Sequence, residues 1–260
     1  MQRRAFLGSA CAAGAAAVGA AAGRAPAAET GDKQYLELRH YKTADMAHRK
    51  RLEAFLAKAA IPAWNAAGVA TVGVFVDLEG KNPDLRVLLP YASAGDVVPV
   101  RRKAWEAILD NKAVADIVHA EKKDPAYKRI ESSFMLSFDG VPKVEVPEKT
   151  PGRIFQLRIY ESHSQAKAFK KIKMFNEGGE LAIFREVAMN PVFFGETLIG
   201  GNLPNLTYML TFPDMAAKDA NWKKFIGHPK WKTLSKDPEY KDTVSNITNI
   251  MLKPAGCSQI

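Results

Sequence analysis

The sequence repeats itself, and this repeat limits the folds that are open to the chain. Residues 36–41 (LELRHY) return as residues 155–160 (FQLRIY), 119 positions later. Residues 124–128 (DPAYK) return as residues 237–241 (DPEYK), 113 positions later. Because the matches keep their order at nearly constant spacing, they indicate two tandem copies of one unit about a hundred residues long.

Each copy has a pattern of strands and helices that can be followed along the chain. Residues 35–41 alternate as in a strand, and an apolar stripe over residues 46–67 predicts a helix that ends at Gly68. Apolar runs at 72–77 and 85–91 predict a hairpin. A second helical region and a last strand complete the order β-α-β-β-α-β. The later elements are predicted at residues 132–138, 154–160, 192–198, 206–212, 215–226 and 247–252.

This order is that of the ferredoxin-like unit, an α+β fold in which an antiparallel sheet carries both helices on one face. Such a unit leaves its other sheet face open. The sequence therefore predicts that two tandem ferredoxin-like (βαββαβ) repeats pack these faces together as a pseudo-dimeric α+β barrel. One chain would then do what a homodimer of single units does, and further association into a homo-oligomer stays open.

The N-terminus has the composition of an export signal. Arg3 and Arg4 precede an alanine-rich apolar stretch, and Ala25-Pro26-Ala27 offers small residues to a signal peptidase. The paired arginines are typical of twin-arginine export, which predicts a periplasmic or extracellular protein without a membrane span after processing. The predicted division is a signal peptide at 1–27, a first repeat at 28–139, a linker rich in proline and charge at 140–152, and a second repeat at 153–260.

Composition argues against several classes of function. The net charge of +9 falls to +6 without the signal, and no basic block or RNA-binding strand signature favours nucleic acid. Only Cys257 remains after processing, so no internal disulfide is expected. The histidines lack metal-ligand spacing, and no phosphate-binding glycine loop or nucleophile motif is present, so no metal and no cofactor are predicted. The five histidines are His40, His48, His119, His163 and His228.

Several whole segments resemble the NIPSNAP family. They are IPAW at 61–64, VGVF at 72–75, PVFFGET at 191–197 and NLPNLTY at 202–208. The resemblance covers nearly all of residues 33–253 and is stronger in the second copy. It implies the fold of the dimeric α+β barrel superfamily, and it brings no general set of catalytic residues.

Strand alternation gives the candidate site. Successive side chains of a strand point to opposite faces. We expect the mainly apolar face with Leu36, Leu38 and His40 to pack against the helices. The polar set would then face the barrel interior, where Arg39 and Arg158 would bind a small anionic or amphipathic ligand between the repeats. The alternative is that each arginine pairs inside the protein, Arg39 with Glu37. The candidate ligand-binding residues are Glu37, Arg39, Tyr41, Gln156, Arg158, Tyr160 and, at the pocket edge, His228.

Three functions remain open on this basis. The first is a binding protein that holds a small molecule between its halves. The second is an enzyme, a cofactor-independent oxygenase or isomerase, in which Tyr41, Tyr160 or His228 would perform acid–base work. The third is a protein-interaction module that has no ligand.

Overall fold

Eight antiparallel strands close into a barrel in the computed structural model, which describes residues 33–260. The predicted signal peptide at residues 1–27 lies outside the described residues. The strand order is β1-β3-β2-β8-β5-β7-β6-β4, with β4 pairing β1 to complete the barrel. The strands are β1 (Tyr35–Lys42), β2 (Gly73–Asp77), β3 (Leu85–Tyr91), β4 (Arg129–Ser137), β5 (Ile154–Glu161), β6 (Asn190–Ile199), β7 (Asn205–Phe212) and β8 (Asn246–Pro254).

Helices cover the outside of both halves. None of those within residues 33–260 is long and apolar enough to cross a membrane. They are α1 (Met46–Phe55), α2 (Ile61–Ala67), α3 (Val97–Leu109), α4 (Ala115–Val118), α5 (Gln165–Asn176), α6 (Glu180–Glu186), α7 (Met215–Gly227) and α8 (Pro229–Leu234). Short 3-10 helices occupy Ala94–Asp96, Lys112–Val114 and Pro238–Tyr240.

The first predicted helix is present but not uniform. A π-helical segment, Leu56–Ala60, separates α1 from α2. The chain leaves α2 at Gly68, whose φ of +115° is a conformation that glycine adopts without the steric cost of a Cβ. At the other end, the Asp45 carboxylate accepts the backbone N–H groups of Ala47 and His48 and so begins α1. The predicted end at Gly68 is therefore confirmed.

The two copies contribute equivalent halves to the barrel. Within each half, the strands lie side by side in the order fourth, first, third, second. The halves meet where the second strand of one pairs with the fourth strand of the other, β2 with β8 and β6 with β4. The expectation of one barrel built from two repeats is confirmed.

The predicted orientation of the strand faces is wrong. Leu36 and Leu38 belong to an apolar cluster with Phe155 and Leu157 of the other repeat, so this set fills the barrel interior. Eight-stranded barrels are just wide enough for side chains to fill them. Arg39 instead lies over the Trp64 ring on α2, which places the polar set beneath the helices. Alternation showed which residues share a face, but both faces are buried, so it did not show which of them is inside.

Candidate functional site

One end of the barrel interior is not filled, and it forms a cavity of about 520 Å³ that we name the mouth cavity. Residues of both repeats line it, because each repeat forms one contiguous half of the barrel wall. Its apolar wall consists of Leu38, Leu157, Ile159 and Ile250. Its polar groups include His40, Arg86, Ser133, Asn205 and Thr207.

Strand register places three ionisable groups next to one another at this end. His40 on β1 stands opposite Arg86 on β3 and opposite Glu131 on β4. Glu131 is exposed and forms an ion pair with Lys42. Because paired side chains on one face of a sheet are neighbours, the mouth cavity carries His40 between a cation and an anion.

His40 is held by acidic neighbours. Its Nε2 lies 2.9 Å from Oδ2 of Asp84, and its Nδ1 lies 3.6 Å from Oε2 of Glu131. Asp84 is fixed in turn by accepting the backbone N–H of Thr43 at 3.0 Å. Burial lowers the pKa of His40, and the charge of Arg86 lowers it further, while Asp84 and Glu131 act in the opposite direction. The imidazole is therefore mainly neutral at pH 7, with its ring oriented by Asp84.

Arg86 has the least satisfied charge in the mouth cavity. Its side chain is half-buried, and within residues 33–260 no carboxylate lies at ion-pairing distance and no hydrogen bond reaches its guanidinium. Burial lowers its pKa, against the longer-range charges of Asp84 and Asp77, but an arginine remains protonated. The sequence analysis missed this residue. The signal was present, since Arg86 is the one charged residue in the apolar run LRVLLPY of β3.

In the first repeat, the predicted site residues satisfy one another. Arg39 donates through Nε and Nη2 to the two carboxylate oxygens of Glu37, at 2.7 and 2.8 Å. The hydroxyls of Tyr91 and Ser132 donate to the same carboxylate at 2.9 and 2.6 Å. Burial would raise the pKa of Glu37, but these bonds, led by those from Arg39, lower it on balance. Arg39 therefore pairs with Glu37 inside the protein, as in the alternative given above, and it lies outside the mouth cavity.

The predicted residues of the second repeat also lie between the sheet and the helices, but they have different partners from those of the first repeat. Gln156 accepts the Trp222 indole N–H at 2.7 Å and donates to the Asn249 side chain at 2.9 Å. The Arg158 guanidinium lies over the Trp222 ring at 4.6 Å and over the Tyr160 ring at 5.2 Å. None of these residues enters the mouth cavity.

The acid–base candidates are poorly placed for catalysis. Tyr41 and Tyr160 are buried, and burial raises the pKa of both hydroxyls. They therefore retain their protons at neutral pH and are poor proton donors. His228 lies at the junction of α7 and α8, where its Nε2 is 3.1 Å from Glu186, and it does not line the mouth cavity. The structure does not bring these three residues together.

Comparison with known proteins gives a family and a shared fold. The family model described as NIPSNAP matches residues 36–140 and again residues 155–259. No curated protein matches the chain. A solved anthrone oxidase-like protein is 10% identical, with a TM-score of 0.54 over 86% of this chain and 92% of that one. This likeness shows a common fold.

Two solved NIPSNAP proteins are also similar to parts of this chain. A NIPSNAP-like domain protein from Burkholderia xenovorans is 21% identical, with a TM-score of 0.36 over 40% of this chain and 86% of that one. A NIPSNAP family protein from Agrobacterium tumefaciens is 20% identical, with a TM-score of 0.36 over 41% of this chain and 96% of that one.

Proposed function

The chain belongs to the NIPSNAP family, and we propose that it binds a small amphipathic molecule with one carboxylate in the mouth cavity between its two repeats. The observation that carries this proposal is the Arg86 guanidinium, which faces the cavity without an ion-pairing partner in the described part of the chain. A guanidinium offers a planar fork of N–H donors that matches the two oxygens of a carboxylate.

The cost of burying the Arg86 charge also supports a carboxylate as the ligand. Withdrawing a charge from water is unfavourable unless another charge or hydrogen-bonding group replaces the water. The nearby acidic groups are already engaged, Asp84 with His40 and Glu131 with Lys42. A carboxylate from solution would give Arg86 the partner that residues 33–260 do not supply.

The volume and lining of the cavity fit a short hydrocarbon tail. Its volume of about 520 Å³ falls in the range of small-molecule pockets, which are mostly apolar with a few placed polar groups. Leu157, Ile159 and Ile250 form a continuous apolar wall from the second repeat. Arg86 belongs to the first repeat. The head and tail of the ligand would therefore contact different copies of the unit.

Octanoate is a suitable probe, and its affinity is expected to depend on pH. An anion beside His40 raises the pKa of an imidazole that burial and Arg86 have lowered, so binding takes up a proton. Affinity should rise about two- to fivefold between about pH 7.5 and about pH 5.5, as expected for one added charge near the carboxylate. Isothermal titration calorimetry at both pH values measures the change.

The matched variant is His40→Gln, which keeps a polar side chain beside Asp84 and cannot titrate. It should bind octanoate with the same affinity at both pH values. 1-Octanol, which has the same chain length without a carboxylate, should bind more weakly than octanoate to the unaltered protein. Equal binding of octanol and octanoate, or an absence of saturable octanoate binding, would contradict the proposed function.

We further infer that each half is a ferredoxin-like unit. The strand order fourth-first-third-second and the chain order β-α-β-β-α-β both support this description. An experimental structure with another strand order in either half would contradict it.

Export through a twin-arginine signal is proposed on the sequence alone. Arg3 and Arg4 before an alanine-rich stretch support it, together with the small residues at 25–27. Sequencing the N-terminus of the exported protein should give Ala28 as the first residue. An uncleaved N-terminus would speak against this proposal.

A further inference from the structure

The two repeats carry the same arginine but not the same carboxylate. Arg39 stands opposite Ser132 on the neighbouring fourth strand, and Arg158 stands opposite Asn249. The residue two positions before the arginine is Glu37 in the first repeat and Gln156 in the second. Both arginines point to the helix side of their sheet and lie over a tryptophan ring. The basic group is duplicated, whereas its internal counter-ion is not.

The hydroxyl donors of the first repeat are replaced as well. Tyr91 pairs with the first residue of β1, and the equivalent position on β7, opposite the first residue of β5, is Phe212. Ser132 is replaced by Asn249, which bonds to Gln156. The first repeat thus contains a complete carboxylate site with its own carboxylate in place. The second contains the cation of that site without the anion.

The Arg158 guanidinium keeps unused hydrogen-bonding capacity. Its Nε is buried and has no hydrogen-bond partner, and no ion pair reaches the side chain in residues 33–260. The charge of Arg158 acts on Glu180, but that carboxylate is engaged by Lys171 at 2.6 Å. An unpaired donor in a buried setting is costly, so an occupant with acceptor oxygens is favoured.

Neighbouring residues indicate which occupant fits and how it enters. The Trp222 and Tyr160 rings hold the guanidinium at 4.6 and 5.2 Å, so the site has aromatic walls. Arg158 is half-buried, and Asn249 beside it on β8 is exposed, which leaves access from solvent along that strand. The mouth cavity is on the other face of β5, where Leu157 and Ile159 line it.

We propose that Arg158 is the centre of a second anion-binding site, between the sheet of the second repeat and its helices, that takes a small aromatic carboxylate. The bound carboxylate is the counterpart of the Glu37 side chain in the first repeat. The site is separate from the mouth cavity and does not depend on a ligand being bound there.

The test restores the missing internal carboxylate. In an Arg86→Gln background, which removes the guanidinium of the mouth cavity, binding of 4-fluorobenzoate is followed by ligand-observed fluorine NMR. Gln156→Glu recreates the Glu–Arg pair of the first repeat and should weaken binding at least tenfold. Gln156→Ala removes the side-chain bonds to Trp222 and Asn249 without adding a charge, and it should retain binding.

Two results would overturn the proposal. One is the absence of saturable 4-fluorobenzoate binding in the Arg86→Gln protein. The other is equal binding by the Gln156→Glu and Gln156→Ala variants.

Thermal unfolding shows whether each variant is folded, and Arg158→Gln replaces Gln156→Glu in the comparison if the glutamate variant does not fold. Loss of binding in Arg158→Gln, with binding retained in Gln156→Ala, supports the site, and retained binding refutes it.

Discussion

Arg86→Gln is expected to weaken octanoate binding about 10- to 100-fold, or by about 1.4–2.7 kcal/mol. Among the residues that the structure describes, Arg86 is the only arginine that lines the mouth cavity, and no ion pair with another of them satisfies its charge. Glutamine keeps a hydrogen-bonding amide but loses the charge and the forked geometry on which carboxylate recognition depends. Calorimetric titration of both proteins under identical salt conditions measures the difference.

Folding should be almost unaffected by this change. Arg86 forms no ion pair within residues 33–260 that the substitution would break, and burial lowers the pKa of its guanidinium, so replacing the charge relieves a desolvation cost. Arg101→Gln on the exposed face of α3 removes the same charge at a residue that does not line the mouth cavity, and it is the matched control. An equal loss of affinity in both variants would assign the effect to net charge and remove Arg86 from the site.

Glu180→Gln is expected to lower the free energy of unfolding by about 3–5 kcal/mol, because it leaves a buried ammonium without its counter-ion. Lys171 and Glu180 are joined at 2.6 Å, and their side chains are only 6% and 2% exposed. The Phe175 ring, 4.4 Å from the Lys171 ammonium, compensates for part of the lost charge by a cation–π contact. Chemical denaturation of the variant and the unaltered protein gives the two free energies.

The double variant Lys171→Met/Glu180→Leu separates the buried charge from the packing. Replacing both partners by apolar groups leaves no uncompensated ion, so it should destabilise the protein less than Glu180→Gln does. Glu186→Gln removes an exposed carboxylate that pairs with Lys230 and should change stability little. A Glu180→Gln protein as stable as the Glu186→Gln protein would show that Lys171 is not held as a buried cation.

Much of the fold could be predicted from local pattern. The strand at residues 85–91 was predicted with the bounds that it has in the structure, since it is an apolar run next to a turn-forming segment. The barrel followed from the repeat, because a duplicated half-covered sheet has an apolar face to bury against its copy. The π-helical segment in the first helix had no such signal.

The candidate site was predicted less well, for a physical reason. Alternation correctly grouped Glu37, Arg39 and Tyr41 on one strand face, but the rule that apolar residues cover helices put this face inside the barrel. The rule fails here because the barrel interior is a packed apolar core, while the layer under the helices is largely apolar as well and also holds the Glu37–Arg39 ion pair. His40 was thereby assigned to the helix side, and Arg86 was not considered.

The sequence by itself determined that there are two copies, where most strands lie and which side chains share a face, because these depend on spacing along a single chain. Only the tertiary structure decided which face is inside, since that depends on pairings between distant strands, β2 with β8 and β4 with β6. Those pairings bring His40 and Arg86 together with Ile159 and Thr207 of the other repeat. The missing counter-ion of Arg158 is instead a matter of sequence, because Gln156 stands where the first repeat has Glu37, the carboxylate that pairs with Arg39.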